Sequence, residues 1–239
     1  MKRKRLNPQL ESLARDIQEE GLRQKVIDLL RNPTFEIDGK KHLGLPFEVS
    51  PAGRSNHHCY PSGYIEHVVS TANIALAMCT SVEKVYHGNV NRDLVLAGVL
   101  LHDVFKPVTY SVGGDGRYSS TRLGDYLDHL SIATAELVRR GFPLELVHVV
   151  AAHHGSYGPI RPHSIEALVC HLADAADSRL NSEMLNAASY LARKAVGQEL
   201  FGLNSKEAFE IVRSKDTDGW PGVAKAVEKI KRTRKTRKS

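Results

Sequence analysis

Cysteine is scarce in this sequence: Cys59, Cys79 and Cys170 are the only three in 239 residues. They are too few and too scattered for a disulfide framework, and none forms a C-x-x-C zinc pair, so a reducing interior is expected. Long apolar runs are also lacking. Nothing approaches the ~20 residues of a membrane helix, and the basic start, MKRKRLNPQLESLARD, has no apolar stretch behind it of the kind a secretion signal needs. The chain is therefore read as cytoplasmic, with no membrane partner. It has no internal repeat of fixed period and no linker before its C-terminal charge run.

Acidic residues are missing from both ends. Residues 2–5 (KRKR) and 229–239 (KIKRTRKTRKS) carry four and seven positive charges and no negative one. Setting these eleven aside leaves 22 basic against 27 acidic residues, so the formal charge of +6 resides wholly in the termini. Short basic ends contact RNA or DNA in some proteins and merely solubilise others, and both readings stay open here. The body is 41% hydrophobic and 25% charged overall, ordinary for a globular chain that can bury a sizeable core.

Asn7-Pro8 supplies an N-cap and a proline for the first helical turn. Apolar spacing then runs through Leu13, Ile17, Leu22, Val26 and Leu30, with Gly21 expected to bend or divide the helix. Residues 34–63 hold Pro46, Pro51, Gly53, Pro61 and Gly63 and read as a long ordered loop. Helical spacing returns at about 64–80, 92–105, 124–140, 143–154, 162–179, 182–197, 205–214 and 221–232. Only 109–120, TYSVGGDGRYSS, reads as a β-hairpin, with Gly-Asp-Gly at its tip. The expected architecture is all-α. It comprises a single domain over 1–228, with a core at about 55–180, C-terminal helices at about 181–228 and a disordered basic tail at 229–239.

The central helices place polar groups in apolar settings. His67 lies beside Val68, Val69 and Ile74; His102 and Asp103 end "AGVLLHD"; His129 sits in "DHLSIA", His153 and His154 in "VVAAHHG", and Asp174 in "CHLADAADSRL". A single histidine of this kind is usually a hydrogen-bonded packing residue, and Asp174 or Asp177 alone is usually a cap or an ion-pair partner. Several imidazoles and carboxylates converging from separate helices are costly as core, yet they match the nitrogen and oxygen ligands of a divalent transition metal. Adjacent helical residues diverge by about 100°, so the His102-Asp103 doublet suits an aspartate that bridges two ions.

The pattern H…HD…H…HH…D resembles the HD-domain superfamily of metal-dependent phosphohydrolases. Within it, "NHHCYPSGYIEHVVS", "NRDLVLAGVLLHDVFK", "DHLSIA", "AAHHG" and "ADAADSRL" are similar to the HD domain of YhaM-type 3′-5′ exoribonucleases. The resemblance covers about residues 10–180 and implies an HD helical bundle. It implies that His67, His102, Asp103 and Asp174 hold a first ion, and that Asp103 bridges to a second completed by His129, His153 and His154. It leaves open which of His153 and His154 is closer. Lys106 would stabilise phosphate charge, against the alternative of a lysine snorkelling at the surface. His57 and His58 would bind substrate phosphate, with His58 a candidate acid for the leaving group. Arg54, Tyr60 and Tyr64 could frame a nucleotide. His42, His87, His148, His163 and His171 fall outside the pattern.

The expected activity is metal-dependent hydrolysis of phosphoester bonds in nucleotides or single-stranded nucleic acid, including 3′-5′ exonuclease action. The expected cofactor is one or two divalent ions, manganese preferred, with iron, nickel or cobalt fitting the same ligands. Two alternatives remain: a nucleic-acid-binding protein with a structural metal and working basic tails, or a small-nucleotide phosphatase. One departure from the YhaM type is that a helix begins at about residue 8, where no OB-fold fits before it.

Overall fold

The structure, a computed structural model, describes residues 5–114 and 116–236. Its elements are α1 (Pro8–Arg15), α2 (Glu20–Arg31), β1 (Thr34–Ile37), β2 (Lys40–Leu43), α3 (Gly63–Lys84), α4 (Arg92–Leu101) and α5 (Lys106–Thr109). There follow β3 (Tyr110–Val112), β4 (Tyr118–Ser120), α6 (Arg122–Tyr126), α7 (His129–Arg139), α8 (Leu144–Ala151), α9 (Ile165–Val196) and α10 (Ser205–Thr236). Helices dominate, as the sequence patterning requires.

Among the described residues there are two antiparallel hairpins, where one was expected. β1 and β2 pair from Thr34↔Leu43 to Ile37↔Lys40, inside the segment read as loop. Asp38 and Gly39 both have positive φ, 51° and 67°, which is the Asp-Gly turn that closes a two-residue hairpin. β3 pairs with β4 from Tyr110↔Ser120 to Val112↔Tyr118, within the expected hairpin; Asp115 at its tip lies outside the described residues.

Several helix boundaries also differ. The first break falls at 16–19 instead of Gly21, because the Glu19 carboxylate accepts from the Gly21 and Leu22 amides and caps α2. The segment expected as 124–140 divides into α6 and α7, since Asp128 accepts from the Ser131 amide at 2.7 Å and starts a new helix. The two helices expected at 162–179 and 182–197 form one, α9, because nothing between them breaks it. α10 continues through the two segments read as 205–214 and 221–232, interrupted at Gly219, whose φ of 65° and ψ of −153° are not helical.

The basic segment from Lys229 is helical through Thr236 instead of disordered. Lys229 pairs with Glu210 at 2.7 Å, Lys231 donates to Gln198 at 2.8 Å, and Arg234 donates to the carbonyls of Phe201 and Gly202, both at 2.8 Å. These contacts fasten the segment to the chain's own body. Residues 2–4 and 237–239 of the two charge runs lie outside the described residues.

α3 packs against α9, α4 and α1, and α4 is also flanked by α8 and α2. α4 and α8 meet closely: a Cβ on Gly98 would lie 2.3 Å from Val149 Cγ1. α3 is long and apolar enough to cross a membrane by length and composition alone, and its inner side is committed to this core and to His67. A second apolar cluster joins Tyr60 to the C-terminal half of α9 and to α10. The first half of α9, α3 and the C-terminal ends of α4 and α8 face one another, and the polar residues collect there.

Candidate metal centre

Three histidines reach this point with Nδ1 engaged, two by a carbonyl of the preceding turn and one by a carboxylate of another helix. α4 stops at Leu101, and His102 in the following turn donates Nδ1–H to the Val99 carbonyl at 2.8 Å. Just past the end of α8, His153 makes the equivalent bond to the Val150 carbonyl at 2.7 Å. His67, on α3, donates Nδ1–H to Asp177 Oδ2 at 2.7 Å. A partner at Nδ1 holds a proton there, so Nε2 is the nitrogen turned to the cluster and the one that would ligate a metal.

Those Nε2 atoms converge on Asp103. His67 Nε2 and His102 Nε2 are 3.1 Å apart and lie 3.3 and 3.2 Å from Asp103 Oδ2. Asp174 Oδ1 completes this half at 3.3 Å from His67 Nε2 and 3.8 Å from His102 Nε2. Asp103 Oδ1 faces the other way, 3.2 Å from His129 Nε2 and 3.8 Å from His153 Nε2. His154 joins this second half, with its ring centroid 5.1 Å from His129 and 4.1 Å from His153. The donor atoms of His67, His102 and Asp174 lie within 4.8 Å of one another, as do those of His129, His153 and His154.

Asp103 Oδ1, His129 Nε2 and His153 Nε2 are buried without a well-formed hydrogen bond, and Asp103 Oδ2 has only the Lys106 ammonium, at 2.6 Å, beside the imidazoles. Polar atoms orphaned together in a core are costly. As a set they fit two divalent cations sharing one carboxylate. Every residue in the expected ligand set is brought to this cluster, and His153 is the more buried of the 153–154 pair, with its free nitrogen turned to the shared carboxylate.

The fields in the cluster are strong. Burial disfavours the Asp103 carboxylate, but the charges of His102 and Lys106 outweigh it and hold the group well below the usual range. Burial opposes protonation of His67, yet Asp103, Asp174 and Asp177 outweigh it and raise its pKa well above that of an ordinary imidazole. Burial, reinforced by the neighbouring His102, keeps His153 well below it.

Lys106 is buried, with Nζ 2.6 Å from Asp103 Oδ2; it belongs to the site and does not snorkel. His57 and His58 lie on the other side of His67, with ring centroids 5.1 and 5.4 Å from it. Burial lowers their pKa values to about 4 and about 3, so both rings are neutral near pH 7. His58 is only 2% exposed, which withdraws the expectation that it meets substrate directly or serves as an imidazolium acid. Arg54 is exposed. Tyr60 and Tyr64 are buried, Tyr64 stacked on Phe47 at 4.5 Å, so neither offers a face to a nucleotide.

The sequence reading gave Asp177 only as a cap or ion-pair partner, which is how it meets His67, and it missed Ser178 and Asn181. A signal was available: 170, 173, 177, 181, 185, 188 and 192 form the buried stripe of α9, and Asp177 and Asn181 interrupt it with polar groups that need partners. His171, which had no role, donates Nδ1–H to the His153 carbonyl at 2.7 Å and supports the turn.

Comparison with known proteins agrees with this geometry. The HD domain model matches residues 64–179, from α3 into α9. The chain is 41% identical over 200 residues to a dihydroneopterin 2′,3′-cyclic phosphate phosphodiesterase of Methanocaldococcus jannaschii, covering 84% of this chain and 78% of that protein. It is 34% identical over 153 residues to the 3′-5′ exoribonuclease YhaM of Bacillus subtilis, covering 59% of this chain and 46% of that protein. Against YhaM of Bacillus licheniformis the identity is 32% over 166 residues, 64% of this chain and 51% of the relative. The chain thus spans about half the length of these exoribonucleases. No solved structure matches it. With the His102-Asp103 doublet at the focus of both ligand sets, the chain belongs to the HD-domain family of metal-dependent phosphohydrolases.

Proposed function

We propose that this protein is a phosphodiesterase that opens a small cyclic phosphodiester, of the 2′,3′-cyclic phosphate class named for its methanogen relative. The observation that carries the hydrolytic reading is the division of one buried carboxylate, Asp103, between two sets of histidine nitrogens. The choice of a small substrate is supported by the extent of likeness, which covers 78% of that relative and about half of each exoribonuclease.

His67, His102, Asp103 and Asp174 would hold one cation, and Asp103, His129, His153 and His154 the other. Manganese is the proposed ion, and iron, nickel and cobalt suit the same mixed imidazole and carboxylate donors. When bound, such ions supply Lewis acidity toward phosphoryl oxygens and an acidified water. The protein's own groups do the rest. Asp103 fixes the spacing of the two halves, Asp177 fixes the tautomer of His67, and buried Lys106 offsets negative charge as it develops on phosphorus-bound oxygen.

A second reading, 3′-5′ exonuclease action on single-stranded RNA, is favoured by the exoribonuclease relatives. It draws less from the C-terminal basic residues than their charge suggests, because several are engaged by this chain's own acceptors. The test is turnover with Mn²⁺ on nucleoside and pterin 2′,3′-cyclic phosphates, bis-p-nitrophenyl phosphate and single-stranded RNA, beside Asp103→Ala. The expected result is preference for the cyclic phosphates and no activity in the variant. Stepwise shortening of RNA with no cyclic-phosphate turnover would favour the exonuclease, and equal activity from both proteins would refute the site.

A further inference from the structure

His57 and His58 are neighbours in sequence, and successive side chains of an extended backbone point to opposite sides. Here both rings turn to one side. His58 has φ +44°, a conformation that a non-glycine residue keeps only when its surroundings hold it. The carboxamide of Asn181 does so. Its Oδ1 accepts from the His58 amide at 2.7 Å, while its Nδ2 donates to Ser205 Oγ at 2.7 Å and to the Tyr60 hydroxyl at 3.2 Å. The hydroxyls of Tyr60 and Ser205 are themselves 2.5 Å apart. Gly63 presses on the same turn so closely that a Cβ there would lie 2.1 Å from the His58 carbonyl oxygen.

The clamp brings His57 Nδ1 to 3.3 Å from His58 Nδ1. One nitrogen must donate and the other accept. His58 Nδ1 also faces Asp177 Oδ2 at 3.7 Å, and that carboxylate favours the proton on His58. His57 Nδ1 is then the acceptor, which leaves its proton on Nε2. This nitrogen lies 3.4 Å from Ser178 Oγ, itself 3.3 Å from Asp174 Oδ1, on the metal-ligand side. His57 is partly exposed, whereas His58 is buried.

We propose that His57 is the member of the pair that meets substrate, donating Nε2–H to a nonbridging phosphoryl oxygen, and that Asn181 is the positioning residue that sets this tautomer through His58. The phosphate role rests on the phosphodiesterase reading above; the tautomer does not. His58, Tyr60, Asn181 and Ser205 all lie outside the matched residues 64–179, so the assignment gives the middle of α9 and the start of α10 a part in the chemistry.

The test has a spectroscopic and a kinetic arm. In Zn²⁺-loaded protein with ¹⁵N-labelled histidine, His57 is expected to carry its proton on Nε2 and none on Nδ1, and Asn181→Ala is expected to lose that single tautomer. With Mn²⁺ and bis-p-nitrophenyl phosphate, Asn181→Ala should lower kcat/KM by roughly tenfold, the scale of one lost buried hydrogen-bond partner. Asn181→Asp keeps the acceptor and should recover to within about threefold. The His57→Ala/Asn181→Ala double variant should be no slower than His57→Ala, since Asn181 acts through that ring. If Asn181→Ala fails to fold, Ser205→Ala loosens the same clamp and should move both readouts in the same direction. An Nδ1-protonated His57, an unchanged tautomer in the clamp variants, or additive losses in the double variant would overturn the proposal. Wild-type protein with the expected tautomer but no phosphodiester turnover would remove the phosphate role together with the phosphodiesterase reading, leaving the clamp established.

Discussion

Replacing Asp177 with alanine removes a carboxylate that ligates nothing in the proposed arrangement, yet it should weaken one cation site and spare the other. Asp177 is buried and accepts Nδ1–H of His67 at 2.7 Å. Without it, the His67 ring loses both its orientation and the negative charge that makes its Nε2 a better donor. Loss of such a supporting group typically costs about 10–100-fold in metal affinity, which is ~1.4–2.7 kcal/mol. The half built from His129 and His153 relies on separate supports, so its affinity should stay within about twofold. Calorimetric titration of metal-free protein with Mn²⁺ resolves the two sites. Asp177→Asn, which retains an acceptor oxygen but no charge, should fall near the lower end of the range. If both sites in Asp177→Ala bind as in wild type, the orienting role assigned to this carboxylate is wrong.

Lys106→Met removes the buried cation beside Asp103 and should reduce kcat about 10²-fold on any phosphodiester the protein turns over; a loss under threefold would count against its role. Gly98→Ala forces a methyl against Val149 where α4 and α8 touch and should cost about 1–3 kcal/mol in thermal or urea unfolding, part of it returned by adding Val149→Ala. Glu136 is 1% exposed. Burial alone would raise its pKa, but hydrogen bonds from Arg139 and Arg140 outweigh this and lower it. The stability it contributes is therefore present above the ordinary glutamate range and lost as pH falls through the lowered folded value. Glu136→Gln should have a lower Tm than wild type at pH 7, with the gap closing below about pH 4; a gap of the same size at pH 3 would contradict this.

Most helices were legible because they rest on a strong local signal, whereas the proposed ligand set came from the resemblance and is brought together only by the fold. The apolar spacing placed α3, α4 and α8, and α9 as two pieces, and the His102-Asp103 doublet stood out as polar residues at the end of an apolar run. The β1–β2 hairpin was missed although Asp38-Gly39 carries the turn signature, since the lysine-rich strand Lys40–Leu43 shows no apolar alternation. The supports were harder to read. Asn181 resembles a helix break in sequence, and only the fold shows its amide spent on His58, Tyr60 and Ser205. The His58 turn depends on residues about 120 positions away, so no short window of sequence could reveal it. The basic C-terminal run looked disordered because its acidic partners, such as Glu210, lie 19 residues upstream, across the Gly219 interruption of α10.

The account depends most on Asp103 being shared between two cations. Metal analysis after equilibrium dialysis against Mn²⁺ addresses this directly. Wild-type protein should retain two ions per chain, while Asp103→Ala should retain neither tightly and should hydrolyse no phosphodiester. A wild-type protein that holds no ion, or an Asp103→Ala variant that keeps both and still turns over substrate, would contradict it.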